Sequence, residues 1–193
     1  MPGQSDVDPL TPRVSVVNVA NVLTGLRIVL VPVFLAALFV GDGHETYWRM
    51  VAFIIFAVAV ITDRIDGAIA RSYGMVTEFG KLADPIADKA LIGAAMIGLS
   101  MLGDLPWWVT IVILVREVGV TVLRFVVIRS GVIPASRGGK LKTLVQSVAI
   151  GLFVLPLGGA WLTGAWAFMW AAIVLTVLTG ADYLLSAIRG VRT

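Results

Sequence analysis

The chain has 193 residues, of which 59% are hydrophobic and only 14% are charged. With a mean hydropathy of +0.96, this composition excludes an ordinary soluble domain, in which about 25% of residues are charged. The lack of cysteine excludes disulfides and thiolate metal sites. The net charge of +3 does not predict nucleic-acid binding, because nearly all basic residues lie on one predicted side of the membrane. Length and composition therefore predict one domain in a lipid bilayer.

Residues 1–14 are polar and contain prolines, and we predict that they form a flexible cytosolic tail before a membrane domain at residues 15–193. No short apolar run ends in a small-residue cleavage site, so we predict no cleaved signal peptide. The remaining sequence predicts an all-α fold, an integral membrane bundle of six transmembrane helices. The predicted spans are Val16–Val40, Tyr47–Arg71, Asp84–Gly103, Leu105–Ser130, Lys140–Leu157 and Gly164–Ile188. Several apolar runs are shorter than a span of about 20 residues, so the polar helix ends are expected to surround a hydrated cavity.

The distribution of lysine and arginine predicts how these helices are oriented. Of the 15 basic residues, only Arg49 lies in a predicted external loop. The positive-inside bias then places both termini and the polar cavity in the cytosol. Tryptophans such as Trp107 and Trp108 mark the opposite interface. We therefore predict an integral protein of the bacterial plasma membrane, and we expect His44, the only histidine, to be solvated in the external loop.

A polar stripe begins the first span. Its members are Asn18, Asn21, Thr24 and Arg27, which recur about once per helical turn at the predicted cytosolic end. The stripe fits a ligand site. It also fits helix capping by Asn and Thr together with an arginine that extends toward the interface.

Four carboxylates follow within 26 residues, at the boundary between the second and third spans. They are Asp63, Asp66, Asp84 and Asp88. On a helix, the first two are spaced i, i+3 and the last two i, i+4, so each pair occupies one helix face. Two such pairs facing each other would repel unless a cation lies between them. Oxygen ligands favour Mg²⁺ or Mn²⁺ over Zn²⁺ and also allow Ca²⁺. Intramembrane acids can instead line an ion pathway in a transporter.

Small residues lie next to these acids. Gly67 and Ala70 share the helix face of Asp63 and Asp66, where they let a bulky or phosphorylated ligand approach the backbone. Pro85 predicts the first turn of the third span. The residues before it predict a turn region that contains Ser72, Gly74, Thr77 and Gly80.

A basic region follows in the second half of the chain. Glu117 and Arg124 share one face of the fourth span, with Arg116 beside them. Arginines inside an apolar helix are costly unless they meet anions. The loop after this span adds the basic residues Arg137, Lys140 and Lys142. On one helix Lys140 and Lys142 would point to nearly opposite sides, so either only one of them contacts a ligand or the helix begins between them. The alternative is ordinary positive-inside charge with a Glu117–Arg124 pair.

The acidic stretch resembles a known signature. Asp63-x-x-Asp66-Gly67-x-x-Ala70-Arg71, followed after eight residues by Gly80-x-x-x-Asp84-x-x-x-Asp88, is similar to the motif of the CDP-alcohol phosphotransferases. Members of that family are integral membrane enzymes that transfer a phosphatidyl or similar group from a CDP-activated donor to an alcohol and release CMP. The resemblance implies two Mg²⁺ or Mn²⁺ ions held by Asp63, Asp66, Asp84 and Asp88, with Asp88 also acting as the catalytic base. It implies a homodimer and a donor nucleotide site made of Asn21, Thr24, Asp66, Gly67, Ala70, Arg71 and Gly80. Arg27 completes the set that the first span shares with the family.

The basic region resembles one branch of this family, the phosphatidylglycerophosphate synthases. The matching residues are Arg116, Glu117, Leu123, Arg124, Ala135, Ser136, Gly139, Lys140, Lys142, Thr143 and Gln146. This resemblance implies CDP-diacylglycerol as donor and a phosphorylated small alcohol, sn-glycerol 3-phosphate, as acceptor. It implies an acceptor phosphate site made of Arg116, Arg124, Arg137, Lys140 and Lys142. Inositol phosphate and phosphatidylglycerol are alternative acceptors. A metal-binding transporter is an alternative of another class, but a transporter should show repeat symmetry, which this sequence lacks.

Overall fold

The computed structural model describes the backbone of residues 19–72, 78–127 and 137–190, and the side chains of residues 25–63, 89–123 and 141–185. In these ranges the chain forms six α-helices and one short 3₁₀ turn at Val40–Gly43, with no strand. The helices are α1 (Val19–Phe39), α2 (Thr46–Ser72), α3 (Glu78–Met101), α4 (Trp107–Val127), α5 (Arg137–Val154) and α6 (Ala160–Gly190). The predicted all-α fold is confirmed. The predicted tail lies outside the described residues, so its boundary stays a prediction.

Four helices begin earlier than the sequence predicts. α2 begins at Thr46 and α6 at Ala160, against predicted starts at Tyr47 and Gly164, and the earlier starts of α3 and α5 concern the site. α3 begins at Glu78 rather than Asp84, so Pro85 lies inside the helix instead of in its first turn, and Gly80 is helical as well. Tertiary context overrides the local turn signals here, because one proline removes only one backbone hydrogen bond from a helix that its neighbours hold in place. α5 begins at Arg137. Lys140 and Lys142 therefore lie on one helix, at positions about 200° apart around its axis.

The helices form one bundle through a continuous set of contacts. α1 contacts α2 and α3, α5 contacts α2, α3 and α6, and α4 contacts α3 and α6. Phe34 of α1 and Phe56 of α2 lie in the core with their ring centroids 5.8 Å apart. Small residues let the helices approach closely. A Cβ on Gly98 of α3 would lie 2.9 Å from a Leu38 methyl carbon of α1, so a larger residue there would displace the Leu38 side chain.

The surface of the described bundle is apolar, as expected in lipid. Large hydrophobic side chains such as Ile54, Val115 and Leu178 are more than half exposed, whereas Arg27 and Lys142 are almost fully buried. Among the described residues, three helical stretches are long and apolar enough to cross a membrane, and they are Gly25–Gly43, Thr46–Asp63 and Ala160–Leu185. Shorter apolar stretches occupy Lys89–Met101 and Leu141–Val154. This pattern supports a membrane-integral protein whose helices carry polar residues at one end.

Arg49 connects three segments at the end of the bundle where α2 begins. It lies in the first turn of α2 and is 5% exposed. Its guanidinium donates hydrogen bonds to the carbonyl oxygen of Gly43 and, over 3.1 Å, to that of Phe153 at the end of α5, and it pairs with the Asp104 carboxylate. The one basic residue assigned to the external side is therefore buried and neutralised by an acid. His44 is exposed, as predicted.

Candidate active site

The predicted aspartate cluster lies at the end of the bundle where α2 finishes and α3 starts, which we call the aspartate end. Asp63 and Asp66 belong to α2, and Asp84 and Asp88 to α3. The two helices contact each other. The side chain of Asp63 is described, and the other three carboxylates lie outside the described side chains. The four-carboxylate metal site therefore stays a prediction, and the described side chains contain no other group of three His, Cys, Asp or Glu residues that could hold a metal.

Asp63 forms an ion pair with the polar stripe of α1. An Nη of Arg27 lies 2.7 Å from a carboxylate oxygen of Asp63, with 3% of the arginine side chain and 33% of the aspartate side chain exposed. Arg27 is thus buried against α2 and does not extend to the surface, which removes the alternative of a snorkelling arginine. Asn21 and Thr24 precede it by six and three residues on α1. The pair therefore aligns the start of α1 with the helix that carries Asp63 and Asp66.

A second charged cluster, which we call the Glu117 cluster, connects α3, α4 and α5. Its acid is Glu117 of α4, and its three bases are Lys89 of α3, Arg116 of α4 and Lys142 of α5. The Lys89 ammonium nitrogen lies 3.0 Å from one carboxylate oxygen of Glu117. The other oxygen accepts hydrogen bonds from Arg116, over 3.1 Å, and from Lys142. Three neighbouring helices are therefore tied together at a single carboxylate.

Glu117 has described partners that the sequence did not suggest, and they come from three helices. The i, i+7 spacing suggested Arg124, whose side chain lies outside the described residues, so that pair stays a prediction. Lys89 was missed as part of the site. One signal could have found it, because Lys89 directly follows Asp88 and is the first charged residue of an otherwise apolar run.

Arg116 is directed toward α6. Its Nε donates to the Thr176 carbonyl oxygen over 3.0 Å, and one Nη donates to the Thr179 hydroxyl over 2.6 Å. Gly180 leaves room for this contact, since a Cβ there would lie 3.1 Å from the Arg116 side chain. The structure thus shows Arg116 joining α4 to α6, and its role in binding an acceptor phosphate stays a prediction.

Lys142 faces the interior of the bundle. It is 4% exposed and donates to Glu117. Because Lys140 occupies a position about 200° away on α5, the two lysines do not share a helix face. Several other predicted site residues lie in helices with a described backbone but outside the described side chains, so their roles stay predictions. They are Asn21, Thr24, Asp66, Gly67, Ala70, Arg71, Gly80, Asp84, Asp88, Arg124, Arg137 and Lys140.

The two charged clusters are adjacent along α3. Lys89 follows Asp88 in the chain and contacts Glu117, which in turn contacts Lys142. An oxygen-rich stretch suited to a hard cation therefore lies beside a basic cluster suited to a phosphate. Such an arrangement can hold two phosphorylated molecules next to each other.

Comparisons with known proteins agree with this arrangement. A family model described as CDP-alcohol phosphatidyltransferase matches residues 17–178. A probable phosphatidylglycerophosphate synthase of Mycobacterium tuberculosis is 63% identical, over 97% of this chain and 90% of the relative. A CDP-diacylglycerol–glycerol-3-phosphate 3-phosphatidyltransferase of Bacillus subtilis is 36% identical, over 86% of this chain and 93% of the relative. A protein of the same description from Rickettsia felis is 37% identical, over 86% of this chain and 93% of the relative. The similarity extends beyond the motifs into the last helix.

Proposed function

Since the chain belongs to the CDP-alcohol phosphatidyltransferase family, we propose that it transfers a phosphatidyl group from CDP-diacylglycerol to sn-glycerol 3-phosphate. The products are CMP and phosphatidylglycerophosphate. The observation that carries this proposal is the similarity over nearly the whole chain to relatives whose names state or imply this reaction. The basic cluster beside the aspartate end supports a phosphorylated acceptor.

The described part of the site fits a divalent metal. The Asp63 carboxylate forms an ion pair with Arg27 over 2.7 Å, and a carboxylate can accept more than one contact. Asp63 is also partly exposed, so a second cation can reach it. We propose that Asp63, Asp66, Asp84 and Asp88 hold two Mg²⁺ or Mn²⁺ ions. When bound, these ions neutralise the donor pyrophosphate and make CMP a better leaving group.

The residues of the chain then have separate tasks in the transfer. Asp88 removes the proton from the attacking hydroxyl of glycerol 3-phosphate. The hydroxyl oxygen forms a bond to the phosphorus that carries the diacylglycerol, and the bond from that phosphorus to the bridging oxygen of CMP breaks. A general base of this kind contributes about 10²–10⁴-fold. Lys142 and the other basic residues hold the acceptor phosphate. The donor nucleotide lies along Asn21, Thr24, Asp66, Gly67, Ala70, Arg71 and Gly80.

The alternatives differ in acceptor or in class. Inositol phosphate would use the same basic cluster, and phosphatidylglycerol would need access from the lipid. Membership of a transferase family favours the enzyme over a transporter.

The test is CMP release by purified protein in detergent with CDP-diacylglycerol and Mg²⁺ or Mn²⁺. Glycerol 3-phosphate, inositol 1-phosphate, free inositol, serine and phosphatidylglycerol are compared as acceptors. We expect metal-dependent release with glycerol 3-phosphate alone. Release with a different acceptor would retain the chemistry and contradict the proposed substrate. No release with any acceptor would contradict the proposed function.

We further propose that both termini and the aspartate end face the cytosol of a bacterial cell and that the protein is a homodimer. The sorting of basic residues supports the orientation, and the family resemblance supports the dimer. Because the chain has no cysteine, single cysteines introduced near each terminus can be labelled in intact cells. Labelling by an impermeant maleimide before lysis would contradict the orientation. The mass of the protein–detergent complex, measured by light scattering, tests the dimer.

A further inference from the structure

The Glu117 cluster contains more positive charge than its own acid neutralises. Lys89, Arg116 and Lys142 surround one carboxylate, which leaves a net charge of +2 among the described side chains of this cluster. The side chains are mostly buried, with 6% of Lys142, 15% of Glu117, 16% of Arg116 and 32% of Lys89 exposed. Buried like charges repel strongly because the surroundings screen them poorly. The cluster therefore favours an additional anion.

The pair at the opposite end of the bundle shows the contrast. There Arg49 meets one acid, Asp104, and backbone carbonyl groups, so the charges balance. That arrangement needs no ligand. In the Glu117 cluster, each lysine ammonium has three donors and uses one of them on Glu117. The excess charge also matches a phosphate monoester, which carries about −1.5 to −2 at neutral pH.

We propose that Glu117 is a positioning residue. It holds the Lys142 ammonium in the position where this ammonium binds the acceptor phosphate, and it connects Lys142 to α3 beside Asp88. This inference rests on the proposed function. Lys142 is carried by α5 and Asp88 by α3, and Glu117 bridges the two helices through Lys142 and Lys89. Without the carboxylate, the three cations repel one another and the Lys142 side chain loses its fixed direction. The acceptor phosphate then loses an oriented ligand, whereas none of the proposed donor residues on α1, α2 and α3 is a described partner of Glu117.

The test compares Glu117→Gln, which removes the charge at nearly constant shape, with Glu117→Asp, which keeps the charge on a shorter side chain. Asp104→Asn is the matched control, because it removes the acid of the ion pair at the other end of the bundle. CMP release gives kcat and separate KM values for donor and acceptor. For Glu117→Gln we expect the acceptor KM to rise about 10- to 100-fold, with the donor KM within about twofold of wild type. Glu117→Asp should recover part of the loss, and Asp104→Asn should change neither KM by more than about twofold.

A double-mutant cycle separates positioning from general stability. If Glu117 acts through Lys142, adding Glu117→Gln to Lys142→Met should raise the acceptor KM little further, since the group that Glu117 orients is already absent. Purely additive effects would overturn the proposal. So would a Glu117→Gln protein with an unchanged acceptor KM, or with equal rises in both KM values. If Glu117→Gln does not fold, the same comparison of acceptor KM and donor KM is made with Glu117→Asp, and an unchanged acceptor KM or equal rises in both would overturn the proposal.

Failure of the proposed function would give a different result. If the wild type used inositol 1-phosphate instead of glycerol 3-phosphate, the proposed substrate would be wrong, and the same KM comparison with that acceptor would test Glu117. If the wild type used only acceptors without a phosphate monoester, the positioning role would be overturned as well.

Discussion

Replacement of Arg49 by methionine should destabilise the protein without changing its substrate affinities. Methionine keeps much of the side-chain volume but removes every hydrogen bond that the Arg49 guanidinium donates. These bonds reach Gly43 before α2, Asp104 after α3 and Phe153 at the end of α5. The substitution therefore disconnects three segments at once.

The magnitude follows from the burial of the arginine. Removing one partner of a buried ion pair costs about 3–5 kcal/mol, and Arg49 is 5% exposed. The Asp104 side chain is 25% exposed, so its freed charge can reach water and the loss should fall toward the lower limit. For a chain of this size, 1 kcal/mol corresponds to about 2–4 °C in Tm, which predicts a decrease of about 6–20 °C.

The assay is thermal unfolding in detergent, followed by the fluorescence of the six tryptophans. Asp104→Asn should lower Tm less, because Arg49 keeps its carbonyl acceptors. The double variant should unfold close to the temperature of Arg49→Met alone, since the pair is already broken. A decrease below about 2 °C for Arg49→Met, less than 1 kcal/mol, would refute the reasoning. A large change in the donor KM or the acceptor KM would refute the reasoning that the end of the bundle with Arg49 and Asp104 is independent of the active site.

Four further predictions concern the site and its supporting contacts. Asp88→Asn should abolish CMP release while leaving CDP-diacylglycerol binding within about threefold of wild type, because the attacking hydroxyl loses its base whereas Asp63, Asp66 and Asp84 still hold metal for the donor; weak donor binding would contradict that division. Asp66→Asn should lose metal and donor binding together, and equal donor affinity and activity in this variant and the wild type would contradict the metal site. EDTA should stop turnover, and added Mg²⁺ or Mn²⁺ but not Ca²⁺ or Zn²⁺ should restore it; full activity in EDTA would contradict metal dependence. Gly180→Val should displace the Arg116 side chain from α6, because even a Cβ at position 180 would lie 3.1 Å from that side chain. We expect Tm to fall by several degrees. Gly164→Val is the control and should not lower Tm, because the space around Gly164 is open.

The sequence alone determined the features that depend on spacing along one helix. Apolar segments of helical length predicted an all-α membrane protein, and the structure confirms this. The placement of Asp63 and Asp66 on α2 and of Asp84 and Asp88 on α3 also followed from the sequence, since helical periodicity is a local property. The resemblance of the aspartate motif indicated the family, and the family model confirms it. The start of α3 did not, because Gly80 and Pro85 are local turn signals that the surrounding helices override.

Only the tertiary structure decided which charges meet. Glu117 contacts Arg116 beside it on α4 and also Lys89 of α3 and Lys142 of α5, which no spacing along α4 predicts. Arg49 meets a carbonyl group 104 residues away. Such pairs depend on which helices are neighbours and on how each is rotated about its axis, and core packing sets both. In an apolar surrounding, each buried charge must then be compensated by the group that packing places opposite it.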